Sequence, residues 1–113
     1  MSAGDAARSV LVTAQSVAIN TNAASTTVYT PSSGSLFVLL HLFLEAEGAT
    51  DVTLKSGSVA ITGPVAFAAN DEKEWKNAPF PVMKGLAAGD AFSIDNSAPA
   101  QLNGWALIVE GNR

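Results

Sequence analysis

Cysteine is absent from all 113 residues, which excludes a disulfide framework and any zinc site built on thiolates, and leaves stability to core packing and association. Charge is scarce as well. Asp, Glu, Lys and Arg make up 14% of the chain, against roughly 25% in an ordinary soluble domain. With 48% hydrophobic residues the chain is not of the disordered class, and its surface is undersupplied with charge. Six cations against ten carboxylates leave a net charge of −4. The basic stripe that displaces counterions from nucleic acid cannot be assembled from so few cations, so no nucleic-acid partner is expected. The longest near-apolar run, Leu36 to Leu44, falls far short of the about 20 residues a spanning helix needs. Met1 to Arg8 has neither a basic n-region nor an apolar h-region. No membrane partner is expected, and synthesis in a cytoplasm is.

What is present is a series of short β-branched and aliphatic runs punctuated by turn residues every eight to twelve positions, the spacing of a sandwich or barrel. Strands are expected at Val10–Ile19, Thr26–Thr30, Leu36–Leu44, Asp51–Lys55, Val59–Ile61, Val65–Ala68, Ala91–Asp95 and Gln101–Glu110. In Asp51–Lys55 strict alternation points Val52 and Leu54 inward and Asp51, Thr53 and Lys55 outward. No segment carries a long helical period. The reading is an all-β, single-domain antiparallel β-sandwich, jelly-roll-like, of about eight short strands. It occupies residues 9–113, and residues 1–8, which show no strand period, form a flexible N-terminal arm. Asp71–Lys76 packs five of the chain's sixteen formal charges into six residues and reads as an exposed, mobile charged loop.

Catalytic and ligand chemistry finds few candidates. His41 is the single histidine and sits mid-strand between Leu40 and Leu42, so a structural role is expected of it in place of general-base catalysis. Glu45, Glu47 and Asp51 surround one turn but match no calcium-loop spacing. Asp71, Glu72 and Glu74 are interleaved with Lys73 and Lys76, and read as solvated charges in preference to a glycosidase acid pair. Gly57 and Gly63 mark turns, with no Gly-x-Gly pattern opening a helix to cradle phosphate. No enzyme activity, cofactor or metal is expected. Trp75, near Lys73 and Lys76, is of a type that stacks on a sugar ring, packing over the sandwich edge being the commoner outcome for such a Trp.

Five segments carry a family resemblance through their order and spacing: Val52-Thr53-Leu54-Lys55-Ser56-Gly57, Ile61-Thr62-Gly63-Pro64, Ala68-Ala69-Asn70, Ala88-Gly89-Asp90-Ala91-Phe92, and Gly104 through Val109. From about Ser35 to Glu110 the chain resembles the small virion structural proteins of tailed bacteriophages, of the capsid decoration (cement) kind. The resemblance implies a β-sandwich that forms homotrimers on the outer surface of the phage head. There it would clamp the major capsid protein lattice, with no active site. A phage tail or fibre subunit is the alternative in the same setting. A carbohydrate-binding module resting on Trp75 is the alternative of another class. Capsid-contact candidates are Asp5 and Arg8 in the arm and Glu72, Lys73, Trp75 and Lys76 in the charged segment.

The strand Leu36–Glu45 suggests where copies meet. Strict alternation would place Leu36, Val38, Leu40, Leu42 and Leu44 in the core, and Phe37, Leu39, His41, Phe43 and Glu45 on the opposite face. That second face is far more apolar than water favours, and no charged residue occurs from Ser9 to Leu44. Phe37, Leu39, His41 and Phe43 are therefore the expected oligomer interface.

Overall fold

The structure is a computed structural model that describes residues 14–76 and 81–112. These form ten strands and no helix: β1 (Gln15–Thr21), β2 (Ser25–Tyr29), β3 (Ser35–Ala46), β4 (Thr50–Ser56), β5 (Val59–Ala60), β6 (Val65–Phe67), β7 (Asp71–Lys76), β8 (Met83–Lys84), β9 (Phe92–Asn96) and β10 (Leu102–Asn112). One sheet, here sheet I, runs β1-β10-β3-β7, with β8 also on β3. The other, sheet II, runs β2-β9-β4-β5, with β6 also on β4. Every pairing is antiparallel.

The ten strands occupy eight positions. Strands β7 and β8 pair with successive stretches of β3, His41–Ala46 and Val38–Leu39. Strands β5 and β6 share β4 in the same way. With these pairs merged, consecutive strands alternate between the sheets except at β4 and β5–β6, which are neighbours within sheet II, and the first and last strands neighbour each other in sheet I. That is the strand order of a jelly roll, which turn spacing alone does not fix within the antiparallel sandwich it predicts. The core lies between the sheets and is built from Phe37, Leu39, Leu42, Leu44, Val52, Leu54, Phe92, Ile94, Leu102 and Ile108, each at most 1% exposed. Each such side chain contributes roughly 1.5–3 kcal/mol on burial.

Strand β4 alternates as its sequence indicates, with Val52 and Leu54 buried and Asp51 exposed. Two expectations need correction. Asp71–Lys76 is a strand, not a loop: β7 pairs with β3 over six residues, turning Asp71, Lys73 and Trp75 inward and leaving Glu72, Glu74 and Lys76 exposed. Strand β3 does not keep one phase. Its register against β10 slips at Leu40, so that Leu107 faces His41 while Ile108 faces Leu39. An extra residue in one strand is a β-bulge, and it switches which parity points inward. Before the bulge Phe37 and Leu39 enter the core; after it Leu42, Leu44 and Ala46 do.

Backbone constraints fix the turns. Gly57 closes the β4–β5 turn at φ +58, and a Cβ there would meet the Asp90 carboxylate at 3.2 Å. Gly104 lies so close to β3 that a Cβ would collide with the Phe43 carbonyl. Buried Ser56 donates to Asp90 Oδ2 at 3.0 Å and accepts from the Leu86 amide at 2.9 Å, which holds the 85–91 connection against the sandwich.

Candidate functional site

The register of sheet I sets out its solvent-side face row by row. One row is Ala18–Trp105–Phe43–Glu74 and the next is Ser16–Leu107–His41–Lys76. Beyond the bulge follows Val109–Val38–Lys84, and at the opposite end Asn20–Asn103–Glu45–Glu72. The centre of the face, on β10 and β3, is thus aromatic and aliphatic. Its β7 side is charged, and its β1 side is small and uncharged. Trp105 is the most open of the central group at 37% exposure. Its indole lies 4.7 Å from the His41 ring and 6.3 Å from the Phe43 ring, centroid to centroid, the latter nearly parallel. Aromatic contacts of this kind fix the three rings as one surface.

His41 is tied to the charged side of the face. Its Nε2 lies 2.6 Å from Glu74 Oε2, and Lys76 Nζ lies 3.9 Å from Glu74 Oε1. The pair gives the imidazole a partner within an otherwise apolar row. Among the described residues no group of three His, Asp or Glu side chains is arranged to hold a metal ion.

Of the four expected interface residues, the structure brings His41 and Phe43 together on the outer face. Phe37 and Leu39 are corrected: both are 0% exposed in the subunit's own core, because the Leu40 bulge inverts the alternation. Their places on the face are taken by Val38 and by Trp105, Leu107 and Val109 of β10. These β10 residues lie in the closing strand, and its pairing with β3 is a long-range fact that the local pattern does not carry. Among the capsid-contact candidates, Glu72 and Lys76 are exposed. Lys73 instead turns inward, its Nζ 5.3 Å from the Phe67 ring centroid. Trp75 is half-buried: it packs against the core with its ring 6.3 Å from that of Phe67 and also lines a shallow surface pocket with Glu74, Lys76 and Val82. Asp5, Arg8 and the expected arm lie outside the described residues.

The outer face of sheet II is different in kind. Its rows are Thr27–Ser93–Lys55–Ala60 and Ser25–Asp95–Thr53, with Asp51 beside Ala66. An open groove of about 680 Å³ runs over Ser25, Asp51, Thr53, Lys55 and Asp95. Lys55 Nζ lies 3.2 Å from Asp95 Oδ2, while Asp95 Oδ1 is sealed from solvent without a hydrogen-bond partner among the described residues.

The two sheets are joined at one margin by Tyr29 of β2 and Glu110 of β10. The phenol donates to Glu110 Oε2 at 2.5 Å, and the Ser32 amide donates to the same oxygen at 3.1 Å. The carboxylate acceptor, then burial, then the carboxylate charge push the Tyr29 hydroxyl up to about 12. The same hydrogen bond, with help from Ser32 and Ser35, holds the Glu110 carboxyl below its ordinary value against the opposing effect of burial.

Compared with known proteins, the chain matches no family model, no curated protein and no solved structure.

Proposed function

We propose that the chain is a virion structural protein of the capsid decoration type, which assembles as a homotrimer on the outside of a phage head and stabilises the major capsid protein lattice. The observation that carries the reading is the aromatic and aliphatic outer face of sheet I, centred on Phe43 and Trp105. A sandwich working alone in water gains nothing from Trp105, Leu107, Val38 and Val109 on its solvent side, whereas an assembly unit buries them. The jelly-roll order and the segment resemblance at 35–110 support the same reading. The exposed Glu72 and Lys76 at the margin of the face are its candidate capsid contacts. The protein acts in this reading by binding and not by catalysis, with His41 held by Glu74 in a structural role.

The test is co-sedimentation of the purified protein with phage heads that lack it and, in parallel, with isolated tails. Saturable binding to heads, raising the temperature at which they rupture, is the expected result. Binding to tails alone would assign the protein to the tail or fibre. Binding to neither would overturn the reading.

A further inference from the structure

The two sheets end in four edges, and they are not equally protected. An edge strand presents unpaired N–H and C=O groups to any other chain, and stable proteins blunt it with charge, bulges or brevity. Strand β7 carries five charged residues in six and turns Lys73 inward. Strand β2 is broken by a bulge between Thr27 and Tyr29. Strands β5 and β6 are two and three residues long. Strand β1 has none of these devices. It runs seven residues, Gln-Ser-Val-Ala-Ile-Asn-Thr, without charge or proline, and keeps one unbroken register with β10. Gln15, Ser16, Ala18 and Asn20 are exposed. Among the described residues no backbone hydrogen bond reaches β1 except from β10.

We propose that β1 is a strand-pairing edge whose occupant is β1 of a second copy, antiparallel about a two-fold axis near Ala18. Three features select that occupant. The other edges of the fold are blunted, so a second copy has only its own β1 to offer in strand addition. The strand has no charge to set against itself across the axis, whereas pairing β7 on β7 would oppose like charges. Antiparallel pairing of identical strands is isologous and closes after two copies, so an open edge need not propagate into fibres. The contact also continues the row Phe43–Trp105–Ala18 of sheet I across the axis into its symmetry mate. It goes beyond the proposed function: it is made by backbone, and is separate from the contact made by the Phe43 and Trp105 face. A protein using both would contain an even number of chains.

Proline scanning tests the pairing. Along a strand the amides of adjacent residues alternate in direction, so of Ser16→Pro and Val17→Pro one removes a donor to β10 and the other a donor on the open edge. The open-edge variant should stay folded by circular dichroism and show half the wild-type mass by light scattering. Ala18→Lys, which places two ammonium groups at the axis, should halve the mass as well. Amide hydrogen exchange supplies the independent readout. Alternate amides of residues 15–21, those pointing away from β10, should be protected in concentrated wild-type protein and lose protection on dilution, and should remain protected in Phe43→Glu. A wild-type mass equal to one chain or to an odd number of chains overturns the pairing, as do open-edge amides that exchange freely in the wild-type multimer. Loss of capsid binding with β1 protection intact would remove the proposed function and leave the pairing standing.

Discussion

The outer faces of the two sheets are made by the same strand geometry and come out chemically opposite. On sheet II, β4 and β9 send Val, Leu, Ile or Phe inward and Ser, Thr, Asp or Lys outward, and a polar groove runs over them, with Val59 and Ala60 exposed on the short edge strand β5. On sheet I, inward Leu42 and Leu44 are backed by outward Phe43 and Trp105. Both alternations satisfy the core equally well, so the core does not explain the difference. What differs is the environment each outer face is built for: water over sheet II, and in the reading proposed here another protein surface over sheet I.

The sharpest way to break that comparison is to charge one side of each face. Phe43 is already half-buried in the subunit, so its further burial in a trimer contributes less than the about 1.5–3 kcal/mol per copy of a fully exposed side chain, repeated three times. Phe43→Glu should then dissociate the trimeric contact at micromolar concentration while leaving the circular dichroism spectrum unchanged. Thr53→Glu, at the matching depth on sheet II, should leave the mass as it was. A folded Phe43→Glu protein of full mass would mean that the face is not where copies meet.

Strand β3 itself offers the next largest contrast. Phe37 before the bulge is core, and Phe43 after it is surface. Phe37→Ala should cost about 3–5 kcal/mol in urea unfolding, the range for truncating a packed aromatic. The same change at Phe43 should cost a small fraction of that in dilute protein, where association makes no contribution. Equal costs would place both rings in one environment and remove the bulge from the account.

That bulge marks the limit of what the sequence makes legible. The all-β sandwich class and the two faces of β4 follow from turn residues and local alternation, because both are written within a few positions of where they act; the eight expected strands, by contrast, count β5 and β6 apart and leave out β7 and β8. The inversion in β3 is not local: Leu40 is one aliphatic residue among five, and only the slipped register against Leu107 and Ile108 shows it to be the extra one. Strict alternation therefore places His41 and Phe43 on the outer face, where they lie, and puts there as well Phe37 and Leu39, which belong to the core. Strand β7 misleads for another reason. Five charges in six residues look like a loop by composition, yet an edge strand tolerates them and uses Lys73 as an inward guard. Trp105, the most exposed member of the face, draws no notice in sequence because its neighbours come from a strand some sixty positions earlier.

A smaller effect distinguishes the margin where the sheets join. Deleting the phenol hydroxyl with Tyr29→Phe removes the bond to Glu110 and lowers stability at neutral pH. Because the Glu110 carboxyl is held below its ordinary value of 4.5, its contribution is complete above that pH and fades as pH falls through the lowered value. Because Tyr29 is raised from 10.0 to about 12, its contribution is complete below pH 10 and fades as pH rises toward 12. The wild-type advantage over Tyr29→Phe, measured by urea unfolding, should form a plateau between those limits. An advantage that persists undiminished at pH 3 would show that the hydroxyl acts through packing and not through the carboxylate.

The smallest effect is expected on sheet II, and it tests the comparison from its polar side. Lys55 and Asp95 form a partly exposed ion pair, of a kind that contributes about 0–1 kcal/mol. Lys55→Met should lie toward the upper end of that range, because it leaves Asp95 with one oxygen newly unpaired beside another that is already sealed without a partner. Asp95→Asn should cost less, since Lys55 can turn its ammonium to the groove. Both variants should keep the wild-type mass and the wild-type affinity for capsids, because a polar groove facing water has no part in association. A change in mass or capsid binding in either variant would make sheet II an interface too, and the opposite chemistry of the two faces would then need another cause.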